Sequence, residues 1–182
     1  MIEALLLMAA AAAFCIWLYN RLVHDRNQVS AAWSDIDVQL KRRHDLIPRL
    51  VSTVKAYADF ERATLLAVTE LREQSELAPR LADKAALEDA LEERLHRVNV
   101  VAEAYPDLKA DENFRQLQAA LADTENQLQY ARRFYNGAVR IYNTRIQSFP
   151  HFLLARPLGF REAEFFEVDE AAERLAPSVK VS

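Results

Sequence analysis

The sequence predicts an all-α fold: an N-terminal transmembrane helix followed by an up-and-down antiparallel bundle of three to four long helices. Three observations carry that expectation. The chain holds only 2 Gly and 6 Pro in 182 residues, and its many Ala, Leu, Glu, Arg and Gln lose little rotamer freedom in a helix. Ala4 to Asn20 carries no charge. Beyond it, apolar residues recur at spacings of three and four, the period of a helix packed lengthwise on others. The organisation that follows is an anchor over residues 1–20, a bundle over 21–149 and an apolar capping tail over 150–182, disordered at its end.

The first element runs Ala4-Leu5-Leu6-Leu7-Met8 through Phe14-Cys15-Ile16-Trp17-Leu18-Tyr19. At 1.5 Å per residue it covers about 25 Å, the short end of what crosses a bilayer core. Trp17 and Tyr19 fall where interfacial aromatics belong, and Arg21 is placed to snorkel. A cleaved signal peptide needs a basic start and small residues at its cleavage site; this run starts with Glu3 and ends in bulky side chains. A lipoprotein signal needs a small residue before the cysteine, and Phe14 precedes Cys15. A buried core helix would show a polar stripe, which is missing. The flank beyond the run holds Arg21, Arg26, Lys41, Arg42 and Arg43, and the flank before it holds no Lys or Arg. The positive-inside rule therefore places the C-terminal body in the cytoplasm.

Val29, Trp33, Ile36, Leu40, Arg43, Ile47, Leu50 and Val54 mark the first stripe of the body. Pro48 removes an amide donor and crowds the carbonyl of His44, so a kink or break is expected there. The pattern fades between Leu65 and Leu71, and Pro79 marks a turn. Leu87, Leu91, Leu95, Val98, Ala102 and Tyr105 mark a second helix, stopped at Tyr105-Pro106 because a residue before proline is pushed out of the helical region. Asp111 is a candidate N-cap for the clearest element. There Phe114, Leu117, Leu121, Thr124, Leu128, Ala131, Tyr135, Ala138, Tyr142, Arg145 and Phe149 step by three and four without a slip. Phe134, Val139, Ile141 and Ile146 are expected to widen that stripe. Phe152, Leu153, Leu154, Leu158, Phe160, Phe165 and Phe166 make the tail too apolar to hang free, and a short helix over Arg161 to Arg174 is an option.

Net charge is −4, so no basic field calls for nucleic acid. One cysteine excludes an internal disulfide framework. Glu93-x-x-His96 has the spacing of an iron-ligating helix, but no second His follows an acidic residue by three, so a di-iron site is incomplete and no cofactor or metal is expected. No phosphate loop, nucleophile elbow or zinc-protease motif is present, and no catalytic residue is assigned. Arg43 and Arg145 occupy slots in apolar stripes, where a guanidinium needs a carboxylate; Asp37, at the edge of the first stripe, is a candidate partner. A structural ion pair is the favoured reading, and a polar cleft for a ligand or reaction around Asp37 and Arg43 is its rival. Asn126, Arg133, Asn136, Arg140 and Asn143 share the face opposite the core tyrosines, a surface either solvated or docking a partner.

Read together, Tyr19-Asn20-Arg21-Leu22-Val23, Ala32-Trp33-Ser34-Asp35-Ile36-Asp37 through Arg43-His44-Asp45-Leu46-Ile47-Pro48, Ala104-Tyr105-Pro106-Asp107-Leu108-Lys109, Arg132-Arg133-Phe134-Tyr135-Asn136 and Tyr142-Asn143-Thr144-Arg145-Ile146-Gln147-Ser148-Phe149-Pro150 resemble the LemA family of bacterial membrane proteins. Arg49 and Asp59-Phe60-Glu61 depart from its pattern. The resemblance implies one transmembrane helix in the bacterial inner membrane and a cytoplasmic helical bundle, and it supplies no catalytic residue. The expected partners are the bilayer through residues 1–20 and other proteins or further copies of the chain. An interaction or scaffold module is the leading reading; a self-assembling, membrane-shaping protein is another.

Overall fold

The computed structural model describes residues 1–57 and 62–166, and among them every regular element is helical. In order these are α1 (Ile2–Lys55), α2 (Arg62–Leu77), α3 (Leu81–Ala102), α4 (Pro106–Ala110), α5 (Glu112–Gln147) and α6 (Phe152–Ala155). The fold is all-α, with one long apolar helix leading the chain and three further long helices after it.

The expected break at Pro48 does not occur. α1 runs through it without interruption, 54 residues in all. Pro48 lies on the exposed side of the helix, while Ile47, Leu50, Val51 and Val54 are buried around it. Each such side chain stabilises by about 1.5–3 kcal/mol when buried. Together they outweigh the roughly 3 kcal/mol that an interior proline costs a helix. The first long stretch ends instead at Lys55, and the region where periodicity faded belongs to α2, with Leu65 and Val68 fully buried. Asp111 does cap α5, its Oδ1 accepting the Phe114 N–H at 2.8 Å, and its Oδ2 accepts the Tyr57 hydroxyl at 2.7 Å. Residues 161–166 are not helical; the rest of the optional tail helix and the expected disordered end fall outside the described residues.

The described chain forms two compact units, one of Met1–Leu40 with Glu125–Phe165 and one containing Lys41–Thr124. In the first, α1 and α5 run antiparallel, since Asp25 meets Arg145 while Trp33 meets Tyr135. Leu22, Val29, Ala32, Ile36 and Leu40 of α1 are buried there, as are Leu128, Tyr135, Ala138, Val139, Tyr142 and Ile146 of α5. Past α5 the chain turns through α6, and Gly159, at φ 76°, takes the left-handed conformation that ends it. Phe160 then returns to lie against Tyr19 at 5.9 Å. In the second unit α2 packs on α3, and one core joins Ile47, Leu50 and Val54 of α1 to Leu65, Val68, Leu91, Val98, Leu108 and Phe114.

Candidate functional site

In the second unit a polar cluster interrupts the apolar packing. Arg43 from α1 and Glu88 from α3 are 1% and 0% exposed and form an ion pair. Arg43 also donates to the Glu88 carbonyl at 3.1 Å. The other carboxylate oxygen of Glu88 receives the Ser75 hydroxyl and lies 2.7 Å from His44 Nε2. His44 Nδ1 in turn sits 3.5 Å from Glu76, which bonds Arg72 one turn back along α2 at 3.1 Å. Burial pushes the Glu88 carboxyl up, but the His44 hydrogen bond, the Arg43 charge and the Ser75 hydrogen bond outweigh it and hold the group at about 2. A carboxylate with that affinity is ionised throughout the neutral range and poorly matched to proton transfer there. Its oxygens are committed to three protein donors, Arg43, His44 and Ser75.

Asp37, the partner expected for Arg43, is exposed on α1, and Arg43 pairs with the buried carboxylate of Glu88. The reason is periodicity. Glu88 lies in the buried stripe of α3, in line with Ala85, Leu91, Val98 and Ala102, whereas Asp37 lies one residue past buried Ile36. Among the described residues no group of three or more His, Cys, Asp or Glu is placed to hold a metal ion.

In the first unit, Arg145 bonds Asp25, and Asp25 is buried with Arg21 3.9 Å away. Asp25 fills the α1 slot between Leu22 and Val29, a signal present in the sequence and overlooked beside the more conspicuous arginines. Nearby, His151 is buried; burial and the Arg145 charge both push its imidazole down.

The five residues expected on one face of α5 separate. Asn126, Arg133 and Arg140 are exposed, and Asn136 is half-buried. Asn143 is instead buried and holds the tail. Its Nδ2 donates to the Ala163 carbonyl and its Oδ1 accepts the Ala163 N–H, both at 2.9 Å. Beside it the Tyr135 hydroxyl donates to the Glu164 carbonyl at 2.8 Å; burial, with Glu164 nearby, pushes that phenol up. Of the residues expected to widen the core stripe, Val139 and Ile146 are buried, but Phe134 and Ile141 are exposed. With Tyr130 they form an apolar ridge on α5. Arg133 stacks over Tyr130 at 4.8 Å, and Gly137 leaves open space between Phe134 and Ile141.

The chain is similar in sequence to several known proteins. The chain is 27% identical over 154 residues to protein LemA of Metamycoplasma hominis, covering 83% of this chain and 69% of the relative. It is 25% identical to magnetosome protein MamQ 2 of Paramagnetospirillum magneticum, covering 95% of this chain and 73% of the relative. It is 23% identical to magnetosome protein MamQ of Magnetospirillum gryphiswaldense, covering 85% and 66%. None of these names denotes a catalytic activity. The sequence profile of the LemA family matches residues 32–181, and the chain belongs to that family.

Proposed function

We propose that the protein is a membrane-anchored helical scaffold, without catalytic activity, that presents the exposed face of α5 to a protein partner on the cytoplasmic side of the bacterial inner membrane. The observation that carries the anchor is the exposure of the uncharged run at the start of α1. Ile2, Leu5, Leu6, Leu7, Met8, Phe14, Ile16 and Trp17 all face outward, and only 6% of the most apolar stretch of α1 is buried. A core helix of a soluble bundle would be covered; a ridge of this length facing water would be costly. Arg21 and Arg26 follow the apolar run at once, which supports the cytoplasmic orientation.

The polar clusters support the absence of activity. Glu88 and Asp25 are buried and each is met by an arginine, so neither meets solvent or substrate. The docking surface is argued from Tyr130, Phe134 and Ile141, which project with Arg133 and Arg140 and mix apolar area with cations in the manner of interface anchors.

Three measurements test this. Carbonate extraction of native membranes is expected to leave the full chain in the pellet, and release into the supernatant would sink the anchor. A photo-crosslinker in place of Phe134 is expected to capture a protein that the same group in place of Lys55 does not. Equal recovery from the two positions counts against the docking face. Orientation is read from a Cys15→Ser chain carrying Arg133→Cys: labelling by a membrane-impermeant reagent from outside intact spheroplasts would reverse the cytoplasmic assignment.

A further inference from the structure

The segment after α5 carries large apolar side chains that nothing in the first unit covers. Phe149, Phe152, Leu153 and Leu158 are 77%, 45%, 55% and 50% exposed. Their neighbours are buried for a reason. His151 lies against Trp17, ring centroids 6.3 Å apart; Ala155 is buried; and Phe160 rests on Tyr19 with Arg26 over its other side at 5.2 Å. The segment therefore wraps α1 where the exposed apolar run ends. Leu18 is the first residue of α1 to be buried, and Leu22 is the next.

We propose that Phe149–Leu158 is a second membrane contact, seated at the boundary between headgroups and acyl chains in the leaflet that the Trp17 end of α1 reaches, and selective for anionic headgroups. The inference rests on reading the start of α1 as the anchor. Length then determines the depth. Ile2 to Trp17 is about 24 Å long, against a hydrocarbon core of about 30 Å. The polar boundary accordingly rises to Trp17 or past it, and side chains packed beside Trp17 and Tyr19 meet lipid. Aromatic and branched side chains there do what interfacial aromatics do, and they supply apolar surface where a short anchor leaves the bilayer mismatched.

Charge selects the lipid. Arg21, Arg156 and Arg161 are exposed around this collar. Asp25 is buried and shared between Arg145 and Arg21, and Glu162, bonded to neutral Gln147 at 2.9 Å, keeps its charge but is outnumbered by Arg156 and Arg161. Cations just above an apolar patch attract anionic headgroups and hold the patch down. A protein occupant has no such depth requirement, and the coincidence of four exposed apolar side chains with the level of Trp17 is what favours lipid.

The test uses the full chain in vesicles of phosphatidylcholine and phosphatidylglycerol with a nitroxide-bearing lipid. One sample carries an NBD fluorophore on native Cys15; the others carry it on Leu153→Cys or Arg133→Cys in a Cys15→Ser background. All three positions are exposed, so labelling removes no buried side chain. Quenching at Leu153 is expected to exceed that at Arg133 several-fold and to approach that at Cys15. Quenching at Leu153 equal to that at Arg133, with Cys15 quenched, overturns the second contact and leaves the anchor standing. No quenching at Cys15 removes the anchor and this inference with it. Shielding of Leu153 from both the nitroxide lipid and aqueous iodide would put protein on the segment and overturn the proposal. Arg156→Glu with Arg161→Glu is expected to lower quenching at Leu153 in anionic vesicles and to leave it unchanged in phosphatidylcholine alone; an unchanged value in both overturns the selectivity.

Discussion

Deleting one half of the Arg43–Glu88 pair leaves the other charge buried without its counter-ion, which costs about 3–5 kcal/mol. Arg43→Met alone is therefore expected to lower the denaturation midpoint sharply. Arg43→Met with Glu88→Leu should recover most of that loss, because two apolar groups of similar volume need no partners. A double variant no more stable than the single one would contradict this. The same carboxylate sets a pH dependence. Its folded value of about 2 lies below the ordinary 4.5, so its contribution is complete above pH 4.5 and is lost as pH falls toward 2. Holding the carboxyl that far down corresponds to about 3 kcal/mol. A denaturant titration between pH 6 and 2 is expected to show a smaller loss for Glu88→Gln than for the native chain, and parallel curves would refute it. At this scale the sequence is half legible. Arg43 and Arg145 stand out as long cations in apolar slots, while Glu88 and Asp25 occupy equivalent slots more quietly. Which carboxylate meets which arginine depends on contacts across more than forty positions of chain, and stripe geometry within one helix does not reach that far.

Among elements, α1 and α5 behave differently as texts. α5 is legible almost to its ends because its period never slips and Asp111 and Pro150 punctuate it. α1 contains a helix breaker, and local propensity at Pro48 is overridden by the buried residues on either side, a tertiary effect that no window of sequence displays. Since Pro48 is exposed, Pro48→Ala is expected to raise stability by about 1–3 kcal/mol, restoring an amide donor without filling or emptying the core. A lower midpoint would mean the ring packs usefully. The tail depends on Asn143, and Asn143→Ala strands both peptide groups of Ala163 at a cost of about 1–3 kcal/mol. Amide exchange at residues 160–165 should quicken while exchange in α3 stays the same; uniform quickening would assign Asn143 a global role. Sequence pattern assigned Asn143 to an outer face because asparagine is polar, and the backbone that buries it returns from twenty residues downstream.

At the scale of the molecule, the long apolar N-terminal helix and family membership were the most legible features, since both lie in contiguous runs of residues. The exposed α5 ridge was the least legible. Phe134 and Ile141 read as core because they are apolar, and only the placement of α1 along the other side of α5 shows that they face outward. α1 itself has one further consequence. It passes from the apolar run into its pairing with α5 without a hinge, so, on the proposed anchoring, the lateral surface of α5 sits at a set height above the bilayer. Trp33 stands opposite Tyr135 with ring centroids 5.8 Å apart, and sixteen residues separate it from Trp17, a rise of about 24 Å. Energy transfer from a donor on Arg133→Cys to acceptors in the membrane surface is expected to report a standoff on the order of 25 Å, and a broad distribution of heights would reveal a swivel. On the proposed anchoring the helix works as a ruler, admitting those neighbours whose own contact surface rides at the same elevation.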